Sequence, residues 1–263
     1  MKSKIWIVFL LFLLLLPNLV FANEETTPID QLNDLSDEAL QLTKSHRYED
    51  AKLILEAFSK KFSSVTVKEQ SFSMDELRIV TIAHNEAVEA TTNATMNQDE
   101  RINRLTKFRL VIDAISGSKE PLWTRMEEPV MAAYDEVKKA AINGEKEKFH
   151  QSLNTFMVLY DIIQPSLKLD VSSEKIQQLD TRIAFIDRYR MDILNKDQAR
   201  QELFEIETEL TSVFNQITTE DEMDPSLWWV IISTGSIIIV TLSYVGWRKY
   251  KGEKEKGKNP SRQ

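Results

Sequence analysis

The segment "LFEIETELTSVFNQI" (203–217) decides the fold. Its apolar residues Leu203, Ile206, Leu210, Val213 and Ile217 recur at alternating intervals of three and four. On a helix of 3.6 residues per turn, that interval keeps one narrow stripe facing one direction, the spacing of a coiled-coil-like seam. A strand would need an alternation of period two. Glu209 lies one position off the stripe, so its replacement by alanine should change stability by less than ~0.5 kcal/mol. Upstream, Ile176, Leu179, Ile183, Ile186 and Ile193 mark a second apolar stripe. The "NKD" at 195–197 reads as a turn with Asp197 as N-cap. The two stripes should therefore face each other in an antiparallel hairpin.

The same reading extends toward the N-terminus and gives eight helices. Thr27-Pro28 opens the first, with Thr as cap and Pro in the first turn, and it should run to about Lys44. A second should span about Tyr48 to Phe62. Ser73-x-x-Glu76 is a capping box for a third, ending near Thr92. "TTNATMNQ" (91–98) reads as a loop or weak helix. Ile102, Leu105, Phe108, Ile112 and Ile115 mark a fourth, stopped at Gly117. Trp123, Met126, Val130, Tyr134 and Val137 mark a fifth, stopped at Gly144, with a kink expected at Pro129. Phe149, Leu153, Phe156, Met157, Tyr160 and Ile163 mark a sixth, ended by Pro165. Sustained strand alternation is missing, so the body reads as all-α. One stretch, "EALQLTKSHRYEDAKLILEAFSKKF" (38–62), looks like a helical hairpin of a tetratricopeptide repeat. Ala39, Tyr48, Ala51 and Leu55 stand at that family's packing positions, but His46 stands at its usual turn glycine. No second copy follows about 34 residues later, so a simple tight αα-hairpin is the other reading.

Downstream of the seam lies "LWWVIISTGSIIIVTLSYVGW" (227–247), 21 residues without a charge. That is the length needed to cross a hydrocarbon core of ~30 Å. Trp228 and Trp229 at one end, with Tyr244, Trp247 and Tyr250 at the other, match the aromatic belts of two interfaces. Arg248, Lys249, Lys251, Lys254, Lys256, Lys258 and Arg262 follow the span, and Glu220, Asp221, Glu222 and Asp224 precede it. Basic flanks stay inside, which puts the basic tail (248–263) in the cytoplasm and the body outside. "MKSKIWIVFLLFLLLLPNLVFA" (1–22) has the three-part layout of a secretory signal peptide. Cleaved or retained, its Lys2 and Lys4 give the same topology.

The body, 23–226, is expected to be one extracytoplasmic helical domain. It carries 24 basic and 39 acidic side chains, a net charge of −15. A surface this acidic repels nucleic acid and anionic lipid and suits protein partners with basic patches. With no cysteine in the chain, neither disulfides nor thiol chemistry enter, and the fold must rest on its core.

A search for reactive groups yields no catalytic, cofactor-binding or metal residue to assign. His46, His84 and His150 form no metal-type spacing. His84 shares a face with Leu77, Val80 and Ala87, and reads as a core histidine with a satisfied ring. Glu86 and Glu89 should point elsewhere on that helix. Glu127 and Glu128, beside Trp123, point about 100° apart on a helix and read as a solvated face rather than a glycosidase-type pair. Arg101, Arg104 and Lys107 form a basic edge, and Arg182, Arg188 and Arg190 surround Tyr189. Both sets could meet an acidic partner, but they read chiefly as intrahelical ion-pair partners of nearby Asp and Glu.

The layout of signal, acidic helical ectodomain, "LWWVIISTGSIIIVTLSYVGWRKY" (227–250) and short basic tail resembles the sporulation protein YpjB family of endospore-forming Gram-positive bacteria. "SLKLDVSSEKIQQLDTRIAFID" (166–187) carries the resemblance as well. It implies a membrane-bound protein linked to spore formation and brings no catalytic residue with it. The expectation is an all-α extracytoplasmic bundle of stacked antiparallel hairpins plus one C-terminal transmembrane helix, non-enzymatic, acting as an interaction module or scaffold. The alternative is a ligand-sensing ectodomain that signals through the span, with "STGS" (233–236) as a packing surface within it.

Overall fold

The computed structural model describes residues 27–69, 72–195, 197–220 and 225–256. Among these residues the chain is all-α. The first four helices are α1 (Pro28–Lys44), α2 (Tyr48–Glu69), α3 (Met74–Thr92) and α4 (Gln98–Ile115). A 3-10 turn (Leu122–Met126) leads into α5 (Glu127–Ile142) and α6 (Lys146–Asp170). The last four are α7 (Ser173–Arg188), a short α8 (Arg190–Asn195), α9 (Asp197–Glu220) and α10 (Pro225–Lys256). Successive helices pack as antiparallel neighbours: α1 on α2, α3 on α4, α5 on α6. Helix α9 lies against α7, α8 and α5.

Local chemistry sets the boundaries. The Thr27 hydroxyl accepts the Asp30 N–H at 3.2 Å, and the Asp30 carboxylate accepts the Thr27 N–H at 2.8 Å, closing a capping box. Ser73 and Glu76 repeat the arrangement at α3. Asn97, inside the stretch read as loop or weak helix, is the cap of α4: its side chain accepts the Glu100 N–H at 2.8 Å. The α1–α2 turn is made by His46 at φ +61°, a left-handed backbone that costs a non-glycine residue roughly 1–2 kcal/mol. The hairpin accepts this because Ala39, Ala51 and Leu55 are fully buried along its seam.

Several elements differ from the sequence reading. Helix α2 runs past Phe62 to Glu69, held by buried Val65. Pro129 kinks nothing. The expected fifth helix is divided into the 3-10 turn and α5, which begins at Glu127, so Pro129 sits in a first turn whose N–H groups lack intrahelical partners anyway. Pro165 does not end α6, which continues to Asp170. Ser166 and Leu167 are fully buried and Asp170 is hydrogen-bonded to Trp123, so tertiary packing outweighs the lost backbone bond. The expected seventh helix is interrupted at Tyr189, whose carbonyl accepts the N–H groups of Asp192 and Ile193. Asp197 is the first residue of α9 rather than its cap.

The core has two parts. Leu32, Leu55, Phe58, Leu105 and Phe108 centre the first, between α1 and α4. Trp123, Tyr134, Phe149, Phe156 and the seam residues Leu203, Ile206, Leu210 and Val213 centre the second. Helix α4 serves both, because Phe108 and Val111 face the first while Leu110 faces the second, and α6 packs along it.

Among the described residues, no helix is long and apolar enough to cross a membrane. Helix α10 is continuous for 32 residues, and Ile232, Ile237, Ile239, Leu242 and Val245 along it are exposed. The side chains of 225–231, 240 and 251–256 lie outside the described residues, and so does part of the expected span at 227–247. The expected signal peptide, 1–22, lies outside them too.

Candidate interaction cleft between the two halves

Where α3, α4 and α6 meet, the surface opens into a cleft of about 820 Å³. Lys107 and Arg104 of α4 lie at its base. The Lys107 side chain is only 10% exposed, and its ammonium donates to Glu86 of α3 at 2.9 Å and Asp161 of α6 at 2.6 Å. Burial opposes the ammonium charge, but these two carboxylates outweigh it, and the pKa of Lys107 rises above the usual lysine value. Arg104 joins Glu89 of α3 at 2.6 Å to Glu100 of its own helix at 2.8 Å. Burial opposes its charge as well, and the same two carboxylates raise its pKa. The opposite wall, on α6, presents Met157 and Val158, with Asp161 one helical turn further on. On the far side of Lys107 a smaller hollow of about 250 Å³ lies over Ile79, Ile82 and Pro165. The triad of Lys107, Glu86 and Asp161 is thus a saddle between two concavities.

The expected basic edge of α4 is largely neutralised. Arg101 is buried; it donates to the carbonyls of Met96 (3.0 Å), Ala90 and Asn93, and it stacks on Tyr48 at 4.4 Å. It ties down the α3–α4 turn. Arg104 and Lys107 pair mainly across helices, not within one as expected. Asp161, the partner on α6, was missed by the sequence reading. It is out of phase with buried Tyr160, Ile162 and Ile163, and that acidic residue on an otherwise apolar turn is the signal that could have found it.

The other candidate residues lie apart from the cleft. His84 Nε2 meets the Leu55 carbonyl at 3.0 Å, and the ring stacks on Phe58 and meets Phe108 edge-on, the satisfied core histidine expected. Glu127 and Glu128 are exposed, while Trp123 is fully buried and donates Nε1–H to Asp170 at 2.7 Å. Burial pushes the Asp170 carboxyl up to about 6, against the lowering effect of the Trp123 bond and with a further push from Asp113. Arg182 bridges Glu209 (2.7 Å) and Glu202 (2.6 Å) of α9, and Arg190 pairs with Asp187 and Asn154. Glu209 is therefore ion-paired across the hairpin, so it is not the inconsequential position that its place off the stripe suggested. Tyr189 packs on Phe185. Among the described residues, no group of three or more His, Cys, Asp or Glu is placed to hold a metal ion.

These features define an all-helical bundle with an ion-paired cleft at the joint of its two halves and a 32-residue C-terminal helix that carries exposed apolar side chains. The chain belongs to the sporulation protein YpjB family: the family model described as "Sporulation protein YpjB (SpoYpjB)" matches residues 29–259. It is 35% identical over 258 residues to "Uncharacterized protein YpjB" of Bacillus subtilis (strain 168), and the alignment covers 97% of each chain. No solved structure matches it.

Proposed function

We propose that this YpjB-family protein is a non-enzymatic scaffold of sporulation, tethered to the cell membrane by a single span with its helical body outside and its C-terminus in the cytoplasm. The link to sporulation comes from the family name. The observation that carries the tether is α10, a 32-residue helix with a line of exposed apolar side chains that includes Ile237, Ile239, Leu242 and Val245. At 1.5 Å per residue it is about 48 Å long, more than the ~30 Å hydrocarbon core. The charge-free run 227–247 supplies the apolar length, and the seven basic residues after it orient it. Protease added to wall-stripped cells should digest the body and spare an epitope placed after Gln263. Loss of the epitope would overturn the topology.

The scaffold reading rests on the cleft, whose cations are all matched by carboxylates from neighbouring helices. Such a site holds helices together and presents a shaped surface. The same concavity favours the second reading, a ligand-sensing ectodomain that signals through the span. The two differ in what fills the cleft: a partner's side chains or a free small molecule.

A further inference from the structure

We propose that the cleft between α3, α4 and α6 is the docking groove for a basic segment of a protein partner, one that places an apolar side chain on Val158 between lysines or arginines that meet the surrounding carboxylates. This rests on the scaffold reading and names its partner's chemistry. Three observations on the cleft carry it.

First, it is an open concavity of about 820 Å³, within the ~300–1,000 Å³ range of sites that bury a ligand. Second, it contains an uncovered apolar rib: Val158 is 48% exposed, with Met157 beside it and buried Ile162 beneath. Third, the charges are layered. Lys107 and Arg104 are deep, at 10% and 24% exposure, whereas Asp161 and Glu89 stand outward at 66% and 55%. The lining holds five carboxylates, Glu86, Glu89, Asp99, Glu100 and Asp161, against those two cations, a net charge of −3. Lys107 and Arg104 fix four of these carboxylates, Glu86, Asp161, Glu89 and Glu100, in place, and each keeps acceptor capacity toward solvent. A cationic segment would meet a preorganised anionic rim around an apolar centre, the arrangement in which electrostatics select the partner and an apolar anchor holds it. An anionic segment, a nucleic acid or an anionic lipid surface would be repelled by this rim and by the −15 body alike.

The test uses the full chain in nanodiscs of neutral lipid and two fluorescein-labelled synthetic peptides: one with leucine flanked by lysines at one-turn spacing, the other with glutamate in place of every lysine. Fluorescence anisotropy should detect the lysine peptide and not the glutamate peptide. Val158→Arg, a change at an exposed site that should leave the fold intact, should weaken the lysine peptide by about tenfold or more by blocking the rib and repelling its charge. Ile142→Arg, at an exposed site at the end of α5, should leave binding unchanged. Equal weakening by both variants would mean unspecific attraction to an acidic body and would overturn the groove. Displacement of the peptide by spermine at equal concentration would make the cleft a small-polyamine site and overturn the peptide reading. Failure of the lysine peptide to bind would also overturn it. Photocrosslinking from position 158 in sporulating cells separates this inference from the scaffold reading. Protein adducts from other surface positions but none from 158 would reject the groove alone, and no adduct from any position would reject the scaffold.

Discussion

Leu210→Asp should be among the most damaging single changes in the body. Leu210 is fully buried midway along the α9 seam, within the same core cluster as Tyr134, Phe156 and Ile183. Truncating a leucine at such a site costs roughly 2–5 kcal/mol in lost transfer and cavity energy. A carboxylate among these apolar side chains either costs several kcal/mol of desolvation or takes up a proton. The sum approaches a whole domain's stability of ~5–15 kcal/mol. The two contributions separate by comparison with Leu210→Ala, which loses the packing but adds no charge. The introduced carboxyl would have a pKa above its unfolded value of ~3.9, so the folded state keeps the proton where the unfolded state has released it. Stability of Leu210→Asp therefore falls as pH rises from about 4, and its deficit against Leu210→Ala should narrow at pH 4.5 compared with pH 7.5. Urea midpoints followed by circular dichroism on the full chain in mild detergent would measure this, with exposed Ser212→Ala as the control. Glu209 cannot serve as that control, because Arg182 holds it at 2.7 Å. If Leu210→Asp matched Ser212→Ala, the seam and the packing of α9 on α5 and α7 would be wrong. A deficit against Leu210→Ala that does not change with pH would refute the buried-charge argument.

Asp170→Asn should stabilise the protein at pH 7.5 and make little difference at pH 4. The carboxyl is raised from 3.8 to about 6, so the native state loses stability as pH climbs through that window; ~1.4 kcal/mol per pH unit sets a ceiling of ~3 kcal/mol. The residue as a whole is exposed at the helix end although its carboxylate is packed against protein, and solvent screening reduces the expected gain to about 1 kcal/mol. Equal midpoints of variant and parent at pH 7.5 would contradict it. Pro165→Ala should stabilise α6 by about 1–3 kcal/mol, since it restores an N–H donor inside a helix where proline costs roughly 3 kcal/mol. A lowered thermal midpoint would show that the ring packs usefully instead.

The all-α class and most helix positions were legible because each amphipathic stripe buries one face, and because Thr27, Ser73, Gly117 and Gly144 punctuate the chain by local chemistry; the breaks at Glu127 and Tyr189 were not. Both glycines take the left-handed backbone that ends a helix, at φ +68° and +70°. The prolines misled for opposite reasons: Pro129 falls in a first turn where its missing N–H costs nothing, and Pro165 is overruled by tertiary burial. Only one side of α4 was legible. The stripe from Ile102 to Ile115 described the face toward the first core, while the burial of Leu110 required a second core that no periodicity within one helix reveals. The cleft was hidden for a related reason. Arg104 and Lys107 were visible as a row of cations, but their partners Glu86, Glu89 and Asp161 lie 15 to 54 positions away, and only the meeting of three helices brings them together.

The two-sided burial of α4 bears on how the body can be divided. A cut in the connection between Ile115 and Leu122 would leave the upstream piece with Leu110 bare, and the downstream piece without the wall against which α6 is built. Neither piece would have a complete interior. The two cores should therefore melt in a single transition, each needing the shared helix to close its interior.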